Sequence, residues 1–194
     1  MANKKMNSPY ASLGPFDADS DELNIVIETP KGSRNKFEYD DKRGVFKLSG
    51  ILPLGAVFPF DFGYIPATKG GDGDPLDVLV LMDEPVFTGC LVTGRLIGVI
   101  EANQTEDKET TRNDRLIAVA IDSRNHSEVR TLKDLNSSVI AEIEHFFVSY
   151  NEYKEKRFEV LGRFGPARAK AVVHAAMKKI HRPVRRKRRS TKRK

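Results

Sequence analysis

The sequence lacks several features that mark whole classes of protein. It has one cysteine, Cys90, among 194 residues, so no internal disulfide can form, which fits a reducing compartment. No uninterrupted apolar run reaches the roughly 18–20 residues that a membrane-spanning helix needs. The first 20 residues contain no apolar stretch like that of a secretory signal. We therefore expect a cytoplasmic protein with one core, and neither a membrane protein nor a secreted disulfide scaffold.

Acidic charge is absent from residues 178–194, where 11 residues are Lys or Arg. Removing these 11 from the chain's 33 basic residues leaves 22 against 27 acidic residues in the rest, a net charge of −5. The tail therefore accounts for the overall charge of +6. Within it, residues 185–194 are too charged and too poor in apolar side chains to fold. Such a run contacts polyanions, with nucleic acid, the ribosome and polyphosphate as candidates, and a solvated tail without a dedicated partner is the alternative.

Strand patterns fill the first two thirds of the chain. Leu23, Ile25 and Ile27 alternate with their neighbours in the two-residue period of a strand. The same period at 36–40 puts Lys36 and Glu38 on one polar face. Glycines and prolines separate the segments, as is typical of turns between strands. Further strands are predicted at 45–48, 56–60, 78–82, 91–100 and 116–121.

Helical spacing replaces this pattern after residue 130. Apolar residues recur at three- and four-residue intervals over 139–150, with Asn136 or Ser137 as the N-cap. Proline suits a first helical turn, so we expect a second helix from Pro166 to about residue 180. Strands followed by helices predict an α+β fold, a compact β-barrel with two C-terminal helices packed on it. The chain then divides into a loose N-terminal arm at 1–20, a folded domain at 21–180 and a disordered basic tail at 181–194.

Three carboxylates, those of Asp72, Asp74 and Asp77, lie within six residues in a glycine-rich stretch. They repel one another, so a fold would not place them together without cations. Their oxygens suit magnesium, which is usually held by one or two carboxylates together with substrate phosphates. A calcium EF-hand loop is excluded, because Leu76 stands where its fifth position needs an acid or Asn, and Asp77 where it needs Gly. An acidic surface turn is the alternative.

The stretch from Gly71 to Val78 resembles the signature of the soluble family I inorganic pyrophosphatases. The resemblance continues in chain order over about residues 23–153, and five motifs in the same order make it specific. Its other motifs are Val26-Ile27-Glu28, Lys36-Phe37-Glu38, Phe58-Pro59-Phe60-Asp61-Phe62-Gly63-Tyr64-Ile65-Pro66, Leu116-Ile117-Ala118-Val119 and His145-Phe146-Phe147 with Tyr150.

The resemblance implies a fold, a reaction and a set of roles. It implies an OB-like closed β-barrel with two C-terminal helices, active as a homo-oligomer with Mg²⁺ in hydrolysing inorganic pyrophosphate to two phosphates. Asp72 and Asp77 would ligate metal, with Asp77 bridging two ions, and Asp74 would accept a proton from the attacking water. Glu28 and Glu38 would be acid-side or water-holding groups. The phosphate-binding residues would be Lys36, Arg115 and Tyr150.

Several of these residues also have an ordinary structural interpretation. Lys36 and Glu38 fit an exposed strand face. Tyr150 fits the apolar face of the first helix. Arg115 fits a surface ion pair with Asp114, worth about 0–1 kcal/mol.

The sequence also departs from the family pattern. Losing carboxylates should weaken at least one metal site, and losing basic groups weakens attraction to the leaving phosphate. The alternative function is therefore a catalytically weakened phosphate- or diphosphate-binding protein, tethered to nucleic acid by its tail. The segment 103–114 is longer than usual, which makes Glu106, Asp107 and Asp114 candidates for a shifted ligand. The departures are Gly50 for an Arg, Gln104 and Asn113 for two metal-binding acids, Asn151 for a Lys, and Phe58 and Phe62 for Tyr.

Overall fold

The structure is a computed structural model that describes residues 8–20 and 22–180. The predicted basic tail at 181–194 lies outside the described residues. The described chain forms a seven-stranded sheet, a separate two-stranded hairpin and two α-helices. The elements are β1 (Leu23–Thr29), β2 (Asn35–Asp40), β3 (Val45–Ile51), β4 (Asp61–Ile65), β5 (Leu76–Leu81), β6 (Leu91–Glu106), β7 (Glu109–Arg112), β8 (Arg115–Ala120), α1 (Ser137–Tyr153), β9 (Arg157–Phe164) and α2 (Pro166–Ile180).

Five strands of the large sheet pair one after another, and the fifth pairs again with the first. β1 pairs with β4, β4 with β5, β5 with β8, β8 with β6, and β6 with β1. Only the β5–β8 pair is parallel among these five pairings. The long β6 also carries β7 and β9 on its second half. The predicted α+β arrangement, mainly sheet with two later helices, is confirmed.

Each helix covers its own half of the core. Ala169, Val173 and Ala176 of α2 pack with apolar residues of β1, β5 and β8. Ile143 and Phe147 of α1 pack with a second cluster drawn from β4, β6 and β9. Neither helix is long and apolar enough to cross a bilayer, as judged over residues 8–20 and 22–180.

The first strand is buried on both faces, although its sequence alternates. Leu23, Ile25 and Ile27 face the core, while Asn24 and Glu28 lie under other parts of the chain. The Asn24 amide donates to the Gly14 carbonyl at 3.1 Å. The Glu28 carboxylate accepts from the Tyr39 backbone N–H at 2.8 Å. The polar face of this strand therefore meets covering segments and not solvent.

Both helices lie where the spacing predicts them. Asn136 is the N-cap of α1, and its side chain accepts from the Ser138 backbone N–H at 3.0 Å. The second helix begins at Pro166, as predicted.

The strand predicted at 56–60 is wrong. Pro59 has no backbone N–H for a ladder, and the Phe58 N–H donates to the Ser33 carbonyl at 3.0 Å. The fully buried Phe58 ring anchors this segment as a loop. The strand starts only at Asp61, so β4 replaces the predicted one.

Two strands escaped prediction. The polar segment 103–114 contains β7, which forms a hairpin with the end of β6. β9 lies between the helices and shows a two-residue period, with Phe158 buried between exposed Arg157 and Glu159. β7 contains no apolar side chain, so a search based on apolar residues does not detect it.

Candidate active site

A cavity of about 750 Å³ opens where β1, β2, the β4–β5 connection and the end of α1 meet. Carboxylates and basic side chains meet in its lining. The structure thus brings together every site residue that the sequence predicts, while their chemical roles stay predictions. These residues are Glu28, Lys36, Glu38, Asp72, Asp74, Asp77, Arg115 and Tyr150.

Residues 70–77, called the acidic loop below, form a tight turn. The Gly70 N–H donates to the Asp74 carbonyl at 2.6 Å, and the Asp74 N–H donates to a carboxylate oxygen of Asp72 at 3.1 Å. A Cβ at Gly71 would collide with the carbonyl oxygen of Arg112, so only glycine fits there. The Leu76 N–H is fixed by the Thr68 hydroxyl at 2.9 Å. Asp77 therefore enters β5 at a fixed position.

The half-buried Asp77 and the buried Arg115 form an ion pair across the parallel strands β5 and β8. Arg115 is only 5% exposed, and its guanidinium lies 5.0 Å from the Phe147 ring centroid. The surface ion pair with Asp114 is therefore wrong, because Asp114 instead pairs with Arg112. Burial raises the pKa of Asp77 above its ordinary value, although Arg115 opposes this shift.

Lys36 and Glu38 of β2 form an ion pair at 2.5 Å that faces the cavity. The Lys36 side chain is 15% exposed, so the exposed strand face does not describe it. Burial opposes its charge, yet Tyr150, Asp77 and Glu38 together raise the pKa of Lys36 above its ordinary value.

Glu28 lies behind this pair, on β1. Burial raises the pKa of Glu28 to about 8, against the hydrogen bond from the Tyr39 N–H. Near neutral pH a large fraction of this carboxyl therefore holds a proton.

Tyr150 of α1 belongs to both the core and the cavity. Its ring stacks on Phe146 at a centroid distance of 5.9 Å and also contacts Phe58 at 6.0 Å. Its hydroxyl oxygen is buried and has no hydrogen-bond partner in the described chain. The ring is thus fixed by packing in a residue that lines the cavity, while its polar end remains unsatisfied in the described chain.

Gln104 and Asn113, called the hairpin wall below, face the cavity from the β6–β7 side. The Asn113 amide donates to the Gln104 amide oxygen at 3.0 Å, and Arg115 donates to the Asn113 oxygen. The two amides therefore satisfy each other and hold the guanidinium of Arg115. They need no cation between them.

The three candidates for a shifted ligand do not join the cavity lining. Glu106 pairs with Lys156 at 2.7 Å. Asp114 accepts from the Ala102 N–H at 3.1 Å and pairs with Arg112. Asp107 lies in the turn of the hairpin, with φ of 48°. The extra length of this segment therefore forms a hairpin and restores no carboxylate at the site.

The remaining departures have local explanations. Phe58 and Phe62 are buried in the core cluster that α1 covers, where rings without hydroxyls fit. The Asn151 amide donates to the Phe147 carbonyl at 2.8 Å inside α1, so its side chain serves the helix. Gly50 pairs directly with Lys36, and a Cβ built there meets nothing within 4 Å.

Sequence reasoning missed one wall of the cavity, the segment from Ser8 to Leu13. The Tyr39 hydroxyl donates to the Ser8 hydroxyl at 2.7 Å. Tyr10 packs edge-on against Tyr39 at 5.1 Å and donates to the Gly89 carbonyl at 3.0 Å. The sequence signal that could have indicated this wall is Tyr10, an isolated aromatic residue in a polar segment. Two lysines near the end of α1, Lys154 and Lys156, were missed as well.

The carboxylates of the acidic loop are the candidate ligands for a divalent cation. As the side chains stand in residues 8–20 and 22–180, no three His, Cys or acidic groups could hold a metal ion together. Magnesium commonly binds only one or two carboxylates and completes its shell with water and substrate phosphates. Burial and the neighbouring Asp72 carboxylate raise the pKa of Asp74, and burial raises that of Asp77. A cation would relieve this excess negative charge, so the residues fit magnesium.

A cavity that joins hard oxygen ligands to basic, phosphate-binding side chains is typical of phosphoryl-transfer enzymes. Comparison with known proteins makes the class specific: the family model described as inorganic pyrophosphatase matches residues 25–181, and the chain belongs to this family. It is 41% identical over 149 residues to the inorganic pyrophosphatase of Halalkalibacterium halodurans, covering 77% of this chain and 88% of that protein. It is 38% identical over 140 residues to that of Synechocystis, covering 72% and 80%.

Solved structures agree with this assignment. An inorganic pyrophosphatase from Neisseria gonorrhoeae superposes with a TM-score of 0.80 at 33% identity, covering 89% of this chain and 99% of that one. The enzyme from Thermus thermophilus gives a TM-score of 0.79 at 33% identity, with coverages of 88% and 97%.

Proposed function

We propose that this chain hydrolyses inorganic pyrophosphate to two phosphates with magnesium as its cofactor. The observation that carries the proposal is the meeting, in one cavity, of the acidic loop with Lys36 and Arg115. Pyrophosphate is strongly anionic, so a site for it needs positive charge around the phosphates and a base for water. The names of the related proteins support the same substrate.

Asp72 and Asp77 would hold the magnesium. When bound, magnesium supplies positive charge that neutralises phosphate oxygens and makes water more acidic. Asp77 is held by Arg115, and Asp72 is held within the turn by the Asp74 N–H, so both ligands are positioned before the cation binds. Pre-positioned ligands lower the entropic cost of assembling the site.

Asp74 would be the general base. A new bond forms between the oxygen of water and one phosphorus, the bond from that phosphorus to the bridging oxygen breaks, and the proton of water passes to Asp74. Burial and the nearby Asp72 carboxylate raise the pKa of Asp74, which increases its affinity for this proton. Glu28 and Glu38 would serve the leaving phosphate as acid-side or water-holding groups. Glu28 suits this role because its pKa of about 8 keeps it largely protonated near neutral pH.

Lys36, Arg115 and Tyr150 would bind the phosphoryl groups. Lys36 and Arg115 carry fixed positive charge, and charge-assisted hydrogen bonds to phosphate are about twice as strong as neutral ones. The Tyr150 hydroxyl is a donor without a partner in the described chain. An oxygen of the substrate would satisfy it.

The test is phosphate release from pyrophosphate by the purified chain, measured across a magnesium titration. Asp74→Asn should lower the rate about 10²-fold or more, because general-base catalysis contributes about 10²–10⁴-fold. Asp122→Asn is the control, since Asp122 is exposed and lies outside the cavity lining. Hydrolysis that survives Asp74→Asn would refute this role of Asp74. Pyrophosphate binding without any release would instead favour the alternative of a binding protein.

We further propose that the returning pairings of β1, β4, β5, β8 and β6 form an OB-like closed barrel. Exposed apolar side chains such as Leu54 and Phe87 support a homo-oligomer, since assembly would bury them. The near absence of cysteine supports a cytoplasmic location. The division into an arm, a domain and a basic tail that contacts polyanions also remains a proposal.

A further inference from the structure

Most basic groups that line the cavity already have an acidic partner. Lys36 pairs with Glu38, Arg115 with Asp77, and the Lys156 ammonium lies 2.7 Å from a Glu106 oxygen. Lys154 and the exposed Lys47 differ from these, because no carboxylate of the described residues forms an ion pair with either within 4 Å, and of the two only Lys154 is half-buried. Its charge is therefore available to a ligand.

Lys154 is held at the edge of the cavity by the end of α1. It is the C-cap of the helix, and its backbone N–H donates to the Asn151 carbonyl at 2.9 Å. Its ammonium lies 4.7 Å from the centroid of the Tyr150 ring, a cation–π contact that orients a long side chain without neutralising it. The residue is half-buried, so its position is better defined than that of a surface lysine.

The same ring carries a second unused donor. The Tyr150 hydroxyl is buried and has no hydrogen-bond partner in the described chain. An unpartnered buried hydroxyl costs stability unless a ligand or water satisfies it. An available ammonium and an unsatisfied hydroxyl thus lie on one aromatic ring beside the cavity.

The charge of Lys154 also reaches the predicted phosphate-binding pair. Burial opposes ionisation of Glu38, but Lys36 and, to a lesser degree, Lys154 lower its pKa below the ordinary value. Lys154 is therefore close enough to Glu38 to act on the same region of the cavity as Lys36.

We propose that Lys154 is a further substrate-binding residue, which contacts a phosphoryl group of the anionic ligand together with the Tyr150 hydroxyl. This inference rests on the proposed function for the identity of the ligand, pyrophosphate. It assigns a role to a residue outside the motifs that the sequence singles out. The contact belongs to ground-state binding, so the loss of Lys154 affects affinity more than turnover.

The test compares Lys154→Gln with Lys156→Gln in the full chain. Both variants remove one positive charge two residues apart, but only Lys154 lacks an acidic partner. Binding of inorganic phosphate is measured by calorimetry with magnesium present. Lys154→Gln should weaken it about tenfold and Lys156→Gln less than about twofold. Lys154→Arg should keep most of the affinity, because it restores the charge.

Kinetics separate this inference from the proposed reaction. Lys154→Gln should raise KM for pyrophosphate about tenfold with little change in kcat. Unchanged phosphate affinity in Lys154→Gln, equal loss in the two Gln variants, or no phosphate binding by the wild-type chain would overturn the inference. Phosphate binding that depends on Lys154 without any hydrolysis would support it and refute the proposed reaction. Hydrolysis with a KM unaffected by Lys154→Gln would support the proposed reaction and refute the role of Lys154.

Discussion

The acidic loop and the hairpin wall border the same cavity and handle charge in opposite ways. In the acidic loop, Asp72, Asp74 and Asp77 are crowded into a turn that only glycine permits at position 71. In the hairpin wall, Gln104 and Asn113 are neutral and bonded to each other at 3.0 Å. One wall accumulates charge that a cation would relieve, and the other is already satisfied.

This contrast indicates on which side of the cavity cations should bind. Hard cations bind more strongly to oxygen donors that carry charge, and neutral amides contribute less to their binding. The hairpin wall serves another purpose, because Asn113 holds Arg115, which in turn holds Asp77. We infer that one wall binds cations while the other positions the groups that surround them.

Asp77→Asn should disrupt the acidic loop and cause the largest loss of hydrolysis. The change removes a proposed metal ligand and leaves the buried Arg115 without its carboxylate. Hydrolysis should fall about 10²–10³-fold, the range seen when one preorganised electrostatic group is lost. Phosphate release measures it, and Asp107→Asn in the hairpin turn is the matched control. A loss below about threefold would contradict the assigned division between the two walls.

Asp61→Asn measures how much stability the protein loses by burying a carboxyl group outside the acidic loop and the hairpin wall. Asp61 is fully buried, one of its oxygens has no partner in the described chain, and burial raises its pKa to about 6. A raised pKa means that the unfolded chain loses the proton first, so stability falls as pH rises from about 4 to 6. The substitution should therefore stabilise the protein by about 3 kcal/mol at pH 8 and hardly at all at pH 4.

Denaturant unfolding at both pH values checks this expectation. Asp83→Asn is the control with the opposite sign. The hydrogen bond from the Ser123 hydroxyl is the main cause that lowers the pKa of Asp83 below its ordinary value. The stability that Asp83 contributes is therefore present above about pH 4 and is lost as pH falls. Asp83→Asn should destabilise the protein at pH 8. Equal effects of the two substitutions at pH 8 would contradict the assignment for Asp61.

Gln104→Glu combined with Asn113→Asp should make the hairpin wall acidic, like the acidic loop. Two carboxylates would then replace amides that lie 3.0 Å apart, and they would repel each other without a cation. Magnesium affinity should rise about tenfold by calorimetry, since added charge strengthens binding of divalent cations. The melting temperature should fall in EDTA and recover with magnesium.

The neighbouring threonine pair of the hairpin supplies the control for this double variant. The Thr105 and Thr110 hydroxyls lie 2.9 Å apart but are exposed and outside the cavity lining. Thr105→Glu combined with Thr110→Asp adds the same charges to the same hairpin. If both double variants raise magnesium affinity equally, the effect is one of net charge and the hairpin wall has no special place.

Local patterns predict a good part of the fold, but not what covers each element. The apolar spacing over 139–150 and the cap at Asn136 locate α1, because a helix is determined by its own stretch of sequence. The alternation at 23–27 correctly predicts β1. It does not predict that Asn24 and Glu28 are buried, since their covers, Gly14 and Tyr39, come from other segments.

The candidate site divides in the same way. The three aspartates stand together in the sequence, so a motif suffices to identify them. The ion pair between Asp77 and Arg115 joins residues 38 positions apart, and only the β5–β8 pairing brings them together. The placement of Lys154 on the Tyr150 ring depends on where α1 ends, and no spacing rule indicates it.

Gly50→Arg should have the smallest effect, a modest decrease in KM for pyrophosphate. Residues directly opposite in an antiparallel pair put their side chains on the same face, so a side chain at this position lies beside Lys36. Nothing lies within 4 Å of a Cβ built there, and the added cation should lower KM for pyrophosphate about threefold, as expected for a partly exposed charge. Ile51→Arg is the control, because it adds the same charge at the next, exposed position, which faces the other side. If Ile51→Arg lowers KM as much, the cavity responds to overall charge and the two walls are not its main determinant.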